Sequence, residues 1–126
     1  MRIMGSGLDA TEIDRVADLI ERYGDRFLRR VFTDREIAYC LARRRADQSF
    51  AARFAAKEAA MKALGTGHSS GITWRSIEVV RRNGPPQLEF HGAAGSRMAV
   101  LAADRAFLTL THSETLAIAQ VILVAS

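Results

Sequence analysis

Apolar positions in the first half of the chain recur at the helical period, and in the second half they alternate. Ile3 to Leu8 is apolar with small residues and predicts a first strand, ending at Gly7-Leu8-Asp9. Ile13, Val16, Leu19, Ile20 and Tyr23 follow at helical spacing, with Thr11 as the expected N-cap and Gly24 as the stop. Asp25 to Val31 adds a short helical turn. Thr33-Asp34-Arg35-Glu36 has the pattern of a capping box and opens a third helix through about Arg43. From Ile72 the period becomes two. Ile72–Arg82 and Leu88–Phe90 read as a hairpin around Asn83-Gly84-Pro85-Pro86, and Gly92–Arg105 reads as a helix. Phe107–Thr111 and Leu116–Val124 form a last hairpin, turning at His112-Ser113-Glu114-Thr115. This order predicts an α+β fold, a single domain over residues 1–126, with a mostly antiparallel sheet wrapped on a long central helix.

That central helix is the stretch from Gln48 to Leu64, stopped at Gly65. Wound at about 100° per residue, it puts Phe50, Phe54, Met61 and Leu64 on one stripe. Arg53 and Lys57 flank the stripe on one side, Glu58 and Lys62 on the other. The opposite face is Ala52, Ala55, Ala56, Ala59, Ala60 and Ala63, with no charge. A surface helix would carry its charges there. This one is expected to pack on both faces, with its charges held at the seams. Glu58 and Lys62, four apart, have the spacing of a simple helical ion pair.

Composition narrows the setting. Net charge is +4, from 18 Lys and Arg against 14 Asp and Glu, which favours an anionic partner. The arginines gather in short clusters, Arg26, Arg29 and Arg30, then Arg43 to Arg45, without interleaved aromatics for stacking bases. A small basic nucleic-acid-binding module is therefore the alternative reading. The single cysteine, Cys40, excludes an internal disulfide framework and fits a reducing, cytoplasmic setting. No apolar run reaches the roughly 20 residues of a membrane span, and the N-terminus lacks the apolar core of a signal peptide.

Several residues carry candidate chemistry. Asp9 ends a strand, Glu58 and Lys62 lie on the central helix, a Gly65-Thr66-Gly67-His68-Ser69-Ser70-Gly71 loop follows, and His112 sits at a hairpin turn. Two carboxylates with a lysine and a glycine-rich loop suit a divalent cation holding a phosphate. Each has a plainer reading: Asp9 as a helix cap, the glycines as a helix stop, His112 as a structural hydrogen-bonder.

Phe54-Ala55-Ala56-Lys57-Glu58-Ala59-Ala60-Met61-Lys62 resembles the signature helix of the 4'-phosphopantetheinyl transferases: an aromatic, two small residues, Lys-Glu-Ala, then Lys. Gly5-Ser6-Gly7-Leu8-Asp9 with Glu12-Ile13-Asp14-Arg15 is similar to that family's opening, as are Arg26-Phe27-Leu28, Phe32-Thr33, Leu64-Gly65-Thr66-Gly67 and Leu110-Thr111-His112-Ser113. The resemblance spans nearly the whole chain and points to the short, stand-alone branch, the holo-[acyl-carrier-protein] synthases. It implies transfer of 4'-phosphopantetheine from coenzyme A to a serine of apo-acyl carrier protein, for fatty acid biosynthesis, releasing adenosine 3',5'-bisphosphate. By the same resemblance Asp9 and Glu58 would bind Mg2+, Lys62 would contact the phosphates, and Glu58 or a metal-bound water would take the serine proton. Thr111, His112, Arg53, Lys57, Gly65, Thr66 and Gly67 would help hold coenzyme A.

The resemblance further implies a homotrimer with active sites shared between subunits. Arg15, Arg22 and Arg26 would dock the acidic carrier protein. Ser6 and Pro85 depart from the family's habit, a larger apolar residue and a lysine, and Ser6 is expected to loosen packing beneath Asp9. An assembled but inactive family member is a further alternative, against which both carboxylates and Lys62 argue.

Overall fold

The computed structural model describes residues 1–126. It runs β1 (Arg2–Glu12), α1 (Ile13–Tyr23), α2 (Asp25–Val31), α3 (Asp34–Leu41) and α4 (Ala46–Leu64). A single helical turn, Trp74–Ser76, then leads into β2 (Ile77–Val80), β3 (Gln87–Phe90), α5 (Gly92–Val100), β4 (Arg105–His112) and β5 (Leu116–Ala125). The sheets are an antiparallel β1-β5-β4 and a separate β2-β3 hairpin. No helix is long and apolar enough to cross a membrane.

α4 is the axis of the core. Twelve of its 19 residues are buried, among them every alanine of the uncharged face except the half-buried Ala52, so the expected solvated face is indeed missing. Its C-terminal half packs Met61 and Leu64 with Val121, Leu123, Ile77 and Val79. Its N-terminal half packs Phe50 and Phe54 with Phe32, Leu28, Ile13 and Val16. Truncating a buried ring such as Phe50 would cost about 3–5 kcal/mol.

β1 lies directly on α4. A Cβ on Gly7 would overlap the carbonyl oxygen of Ala59, and one on Gly5 that of Ala63. Glycine on the strand against alanine on the helix therefore lets main chain meet main chain. α4 stops at Gly65, whose left-handed φ of 77° is the expected C-cap geometry. The Thr33 capping box is present with both of its hydrogen bonds.

Other boundaries differ. β1 runs on to Glu12, so Thr11 is a strand residue rather than an N-cap, and its hydroxyl bonds Asp9 instead of a helical N–H. The strand expected from Ile72 begins at Ile77, because Trp74–Ser76 forms a turn capped by Thr73 and Ser76. α5 ends at Val100, and Ala102 takes a left-handed φ of 57° before β4. Ser6 is exposed on the sheet face away from α4, so it does not underlie Asp9.

Candidate active site

Asp9 shares a strand face with Gly7, since side chains of a strand alternate, and so points toward α4. Lys62 Nζ donates to Asp9 Oδ1 at 3.1 Å and to the Leu8 carbonyl at 2.9 Å. The buried Thr11 donates its hydroxyl to Asp9 Oδ2 at 2.8 Å. The carboxylate is thus held from both sides. The simple Glu58–Lys62 ion pair is not formed; Lys62 crosses to Asp9.

Glu58, one turn before Lys62, is half-buried. Burial pushes its carboxyl above the ordinary glutamate value, and the negative charge of Asp9 adds to the rise. The charges of His68, Lys62 and Arg15 pull the other way. Asp9 and Glu58 therefore form a repelling carboxylate pair that a cation would relieve. Two hard oxygen donors with room for further oxygens fit Mg2+, which keeps water and phosphate in its shell. The acidic group Glu78, Glu89 and His91 lies elsewhere and is an ion-pair network: Arg35 bonds Glu78 Oε1 at 2.6 Å and Arg82 bonds Glu89 at 3.0 Å.

An aromatic row begins at His68, whose charge acts on Glu58. His68 lies over Trp74 with centroids 4.5 Å apart, Trp74 stacks on Phe54 at 4.8 Å, and Phe54 faces Phe27 at 6.3 Å. Phe54, Trp74 and Phe27 wall an open cavity of about 440 Å³ with Leu19, Tyr23, Arg26 and Arg30. Trp74 is not legible as a site residue, and His68 is legible only as a member of the glycine-rich loop.

A second, basic cavity holds Arg53, Thr111 and His112 together with Arg43, Arg44, Arg45 and Arg81. Arg53 is buried, its guanidinium 4.1 Å from the centroid of the Tyr39 ring, and Nη1 donates to Ser49 at 3.1 Å. Its Nε has no partner. Asp9, Glu58 and Lys62 do not line this cavity. Arg53 and Glu58, five residues apart, leave α4 about 140° apart. Within one chain the expected site is therefore divided. Thr111 and His112 are consecutive strand residues, so their side chains leave opposite faces of the sheet.

Two expected contacts are corrected. Lys57 is fully buried, its ammonium 2.7 Å from Glu36 Oε1 and bonded to the Trp74 and Ile77 carbonyls, so no hydrogen remains for a phosphate. The Gly65 N–H donates to Met61 and Lys62 carbonyls as the helix cap, which removes it as a phosphate donor. Thr66 and Gly67 remain accessible in the loop.

Arg15, Arg22 and Arg26 are all exposed, with Arg26 on the rim of the aromatic cavity. Arg15 and Arg22 share their surface with Glu12, Asp14 and Asp18, so α1 is mixed in charge and the basic character comes from α2. Cys40 is buried and its thiol pushed up by that burial, in keeping with a packing role.

The sequence pattern of the 4'-phosphopantetheinyl transferase superfamily matches residues 5–119. The chain belongs to that superfamily. A holo-[acyl-carrier-protein] synthase of Koribacter versatilis is 50% identical over 122 residues, 96% of this chain and 98% of that protein. One from Solibacter usitatus is 45% identical over the same shares. Among solved structures, holo-[acyl-carrier-protein] synthase from Neisseria meningitidis superposes with a TM-score of 0.89 at 28% identity, covering 97% of this chain and 98% of that one. The Bacillus anthracis protein, in complex with coenzyme A (3',5'-ADP), superposes at 0.81 with 31% identity, covering 98% of each. Lys57 and Glu58, adjacent on α4, leave it in different directions: one into the core, one to the carboxylate pair.

Proposed function

We propose that the protein is a holo-[acyl-carrier-protein] synthase, moving 4'-phosphopantetheine from coenzyme A to a serine of apo-acyl carrier protein. The observation that carries this reading is the Asp9–Lys62–Glu58 constellation at the β1–α4 contact, on a fold shared along its length with proteins of that name. Asp9 and Glu58 would hold Mg2+, which would supply charge neutralisation to the pyrophosphate of coenzyme A. Lys62 leaves Asp9 for the phosphate oxygens and stabilises charge there as the bond breaks. The serine oxygen forms its bond to the phosphorus that carries pantetheine, the phosphorus–oxygen bond of the pyrophosphate breaks, and adenosine 3',5'-bisphosphate departs. Glu58 accepts the serine proton.

The chain acts as a homotrimer in the cytoplasm, with each site completed by a neighbour. Two observations support sharing. The basic cavity of Arg53 and His112 is separate from the carboxylate pair in one chain. The outer face of the β1-β5-β4 sheet exposes Leu8 at 61% and Phe107 at 42%, and half-exposes Ile118 and Ile122. In the trimer the basic cavity, lined by Arg53 and four other arginines, takes the anionic nucleotide end of coenzyme A. Arg22 and Arg26 guide the acidic carrier protein toward the aromatic cavity.

The test is mass spectrometry of apo-acyl carrier protein incubated with the protein, coenzyme A and Mg2+. Gain of one phosphopantetheine, lost with chelator and with Glu58→Gln, is the expected result. No gain across several carrier proteins would leave the inactive family member as the better reading.

A further inference from the structure

We propose that Lys57 is a positioning residue that fixes the Trp74–His68 wall of the site from inside the core. The functional half of this inference rests on the transferase reading above; the structural half does not. Lys57 and Glu36 have no exposed side-chain surface. All three ammonium hydrogens are used: one on Glu36 Oε1 at 2.7 Å, one on the Trp74 carbonyl at 3.0 Å and one on the Ile77 carbonyl. Glu36 is equally engaged, accepting from Thr33 N–H at 2.8 Å through Oε1 and from Val79 N–H at 2.9 Å through Oε2. The pair thus clamps α3, α4, β2 and the Trp74–Ser76 turn at one point.

Stability alone is a poor reason for such a clamp. Burial pulls the Lys57 ammonium down from its ordinary value, with Glu36 opposing. Replacing a buried pair of this kind by neutral groups is often neutral or stabilising. What apolar groups cannot supply is a donor for the Trp74 carbonyl. Trp74 follows a glycine- and serine-rich loop, Gly65–Gly71, that is exposed except for the half-buried Thr66, with Ile72 the one core residue between them. Fixing the Trp74 main chain fixes its ring on Phe54 and under His68, whose charge acts on Glu58, and at the wall of the cavity rimmed by Arg26 and Arg30. A lysine adjacent in sequence to Glu58 thereby shapes the same site from a face of the helix about 100° away.

Trp74 is the only tryptophan, so its fluorescence reports the wall directly. The variant is Glu36→Gln with Lys57→Met, which leaves no charge buried at the clamp. The expected result is an unchanged far-ultraviolet circular dichroism spectrum, a red-shifted Trp74 emission and about a twofold rise in acrylamide quenching. With them the KM for carrier protein rises by about tenfold while the KM for coenzyme A holds. A folded variant with native emission and quenching would overturn the positioning. Altered fluorescence with native kinetics would overturn its functional half. Trp74→Ala, with the buried pair intact, guards against a variant that does not fold: it is expected to reproduce the rise in carrier KM, and native kinetics there would also overturn that half. The fluorescence needs no substrate, so it decides the positioning of Trp74 even where the transferase reading fails.

Discussion

Lys62 reaches past Glu58, the carboxylate of its own helix, and pairs with Asp9 of β1 at 3.1 Å. An exposed pair of this kind contributes only about 0–1 kcal/mol to folding, so its interest is functional. The ammonium is a protein-borne cation on one of the two carboxylates proposed to bind metal.

Lys62→Ala should separate the two roles. Without its competitor, Asp9 binds Mn2+ several-fold more tightly, measured by calorimetry on the free protein. Turnover falls by about 10²–10³-fold for want of a phosphate contact. Weaker Mn2+ binding would mean that Lys62 supports the metal instead of competing with it.

Glu58 makes stability depend on pH in a defined direction. Its carboxyl is raised in the fold by burial and by Asp9, so the native state is favoured with the group protonated and loses stability as pH rises through the raised value. Glu58→Gln should therefore melt above the parent at pH 7 to 8 and match it below about pH 4. Mg2+ should raise the melting temperature of the parent and leave the variant where it was.

Gly7→Ala tests the β1–α4 contact. The added methyl would overlap the Ala59 carbonyl, which is main chain and cannot rotate away. The expected cost is about 3 kcal/mol or more, read from denaturant midpoints.

Carrier docking is best probed at Arg22, because Arg15 also acts on the charge of Glu58. Arg22→Glu should raise the KM for carrier protein about three- to tenfold at low salt, leave that for coenzyme A in place, and lose its effect as ionic strength rises. Equal effects on both substrates would remove α1 from the docking face.

The trimer is tested at Leu8. Leu8→Glu puts a charge on the outer sheet face, away from α4, and should give monomers in sedimentation experiments together with loss of transfer. A monomeric parent would dismiss the shared site.

The central helix was legible because its alanine face and Gly65 stop are local signals, and so was the Thr33 capping box. Asp9, Glu58 and Lys62 are legible as separate candidates; that they meet follows from Gly5 and Gly7, whose meaning depends on what lies opposite. Lys57 is not legible as a core residue, because helical angle places it at a seam and says nothing of what waits there. Its partner Glu36 sits on another helix, legible as a capping residue but not as a buried counter-ion. Thr11 misleads for a related reason: a hydroxyl before a helix can serve the helix or a neighbouring carboxylate, and the strand runs long enough to choose the second.

Because β1 and α4 touch through their backbones at Gly7 and Ala59, the spacing between Asp9 and Glu58 is set without any rotamer in between. Aliphatic residues elsewhere in the interior can drift in size over evolutionary time without retuning that spacing, so the separation of the two proposed metal ligands is insulated from the ordinary turnover of core sequence.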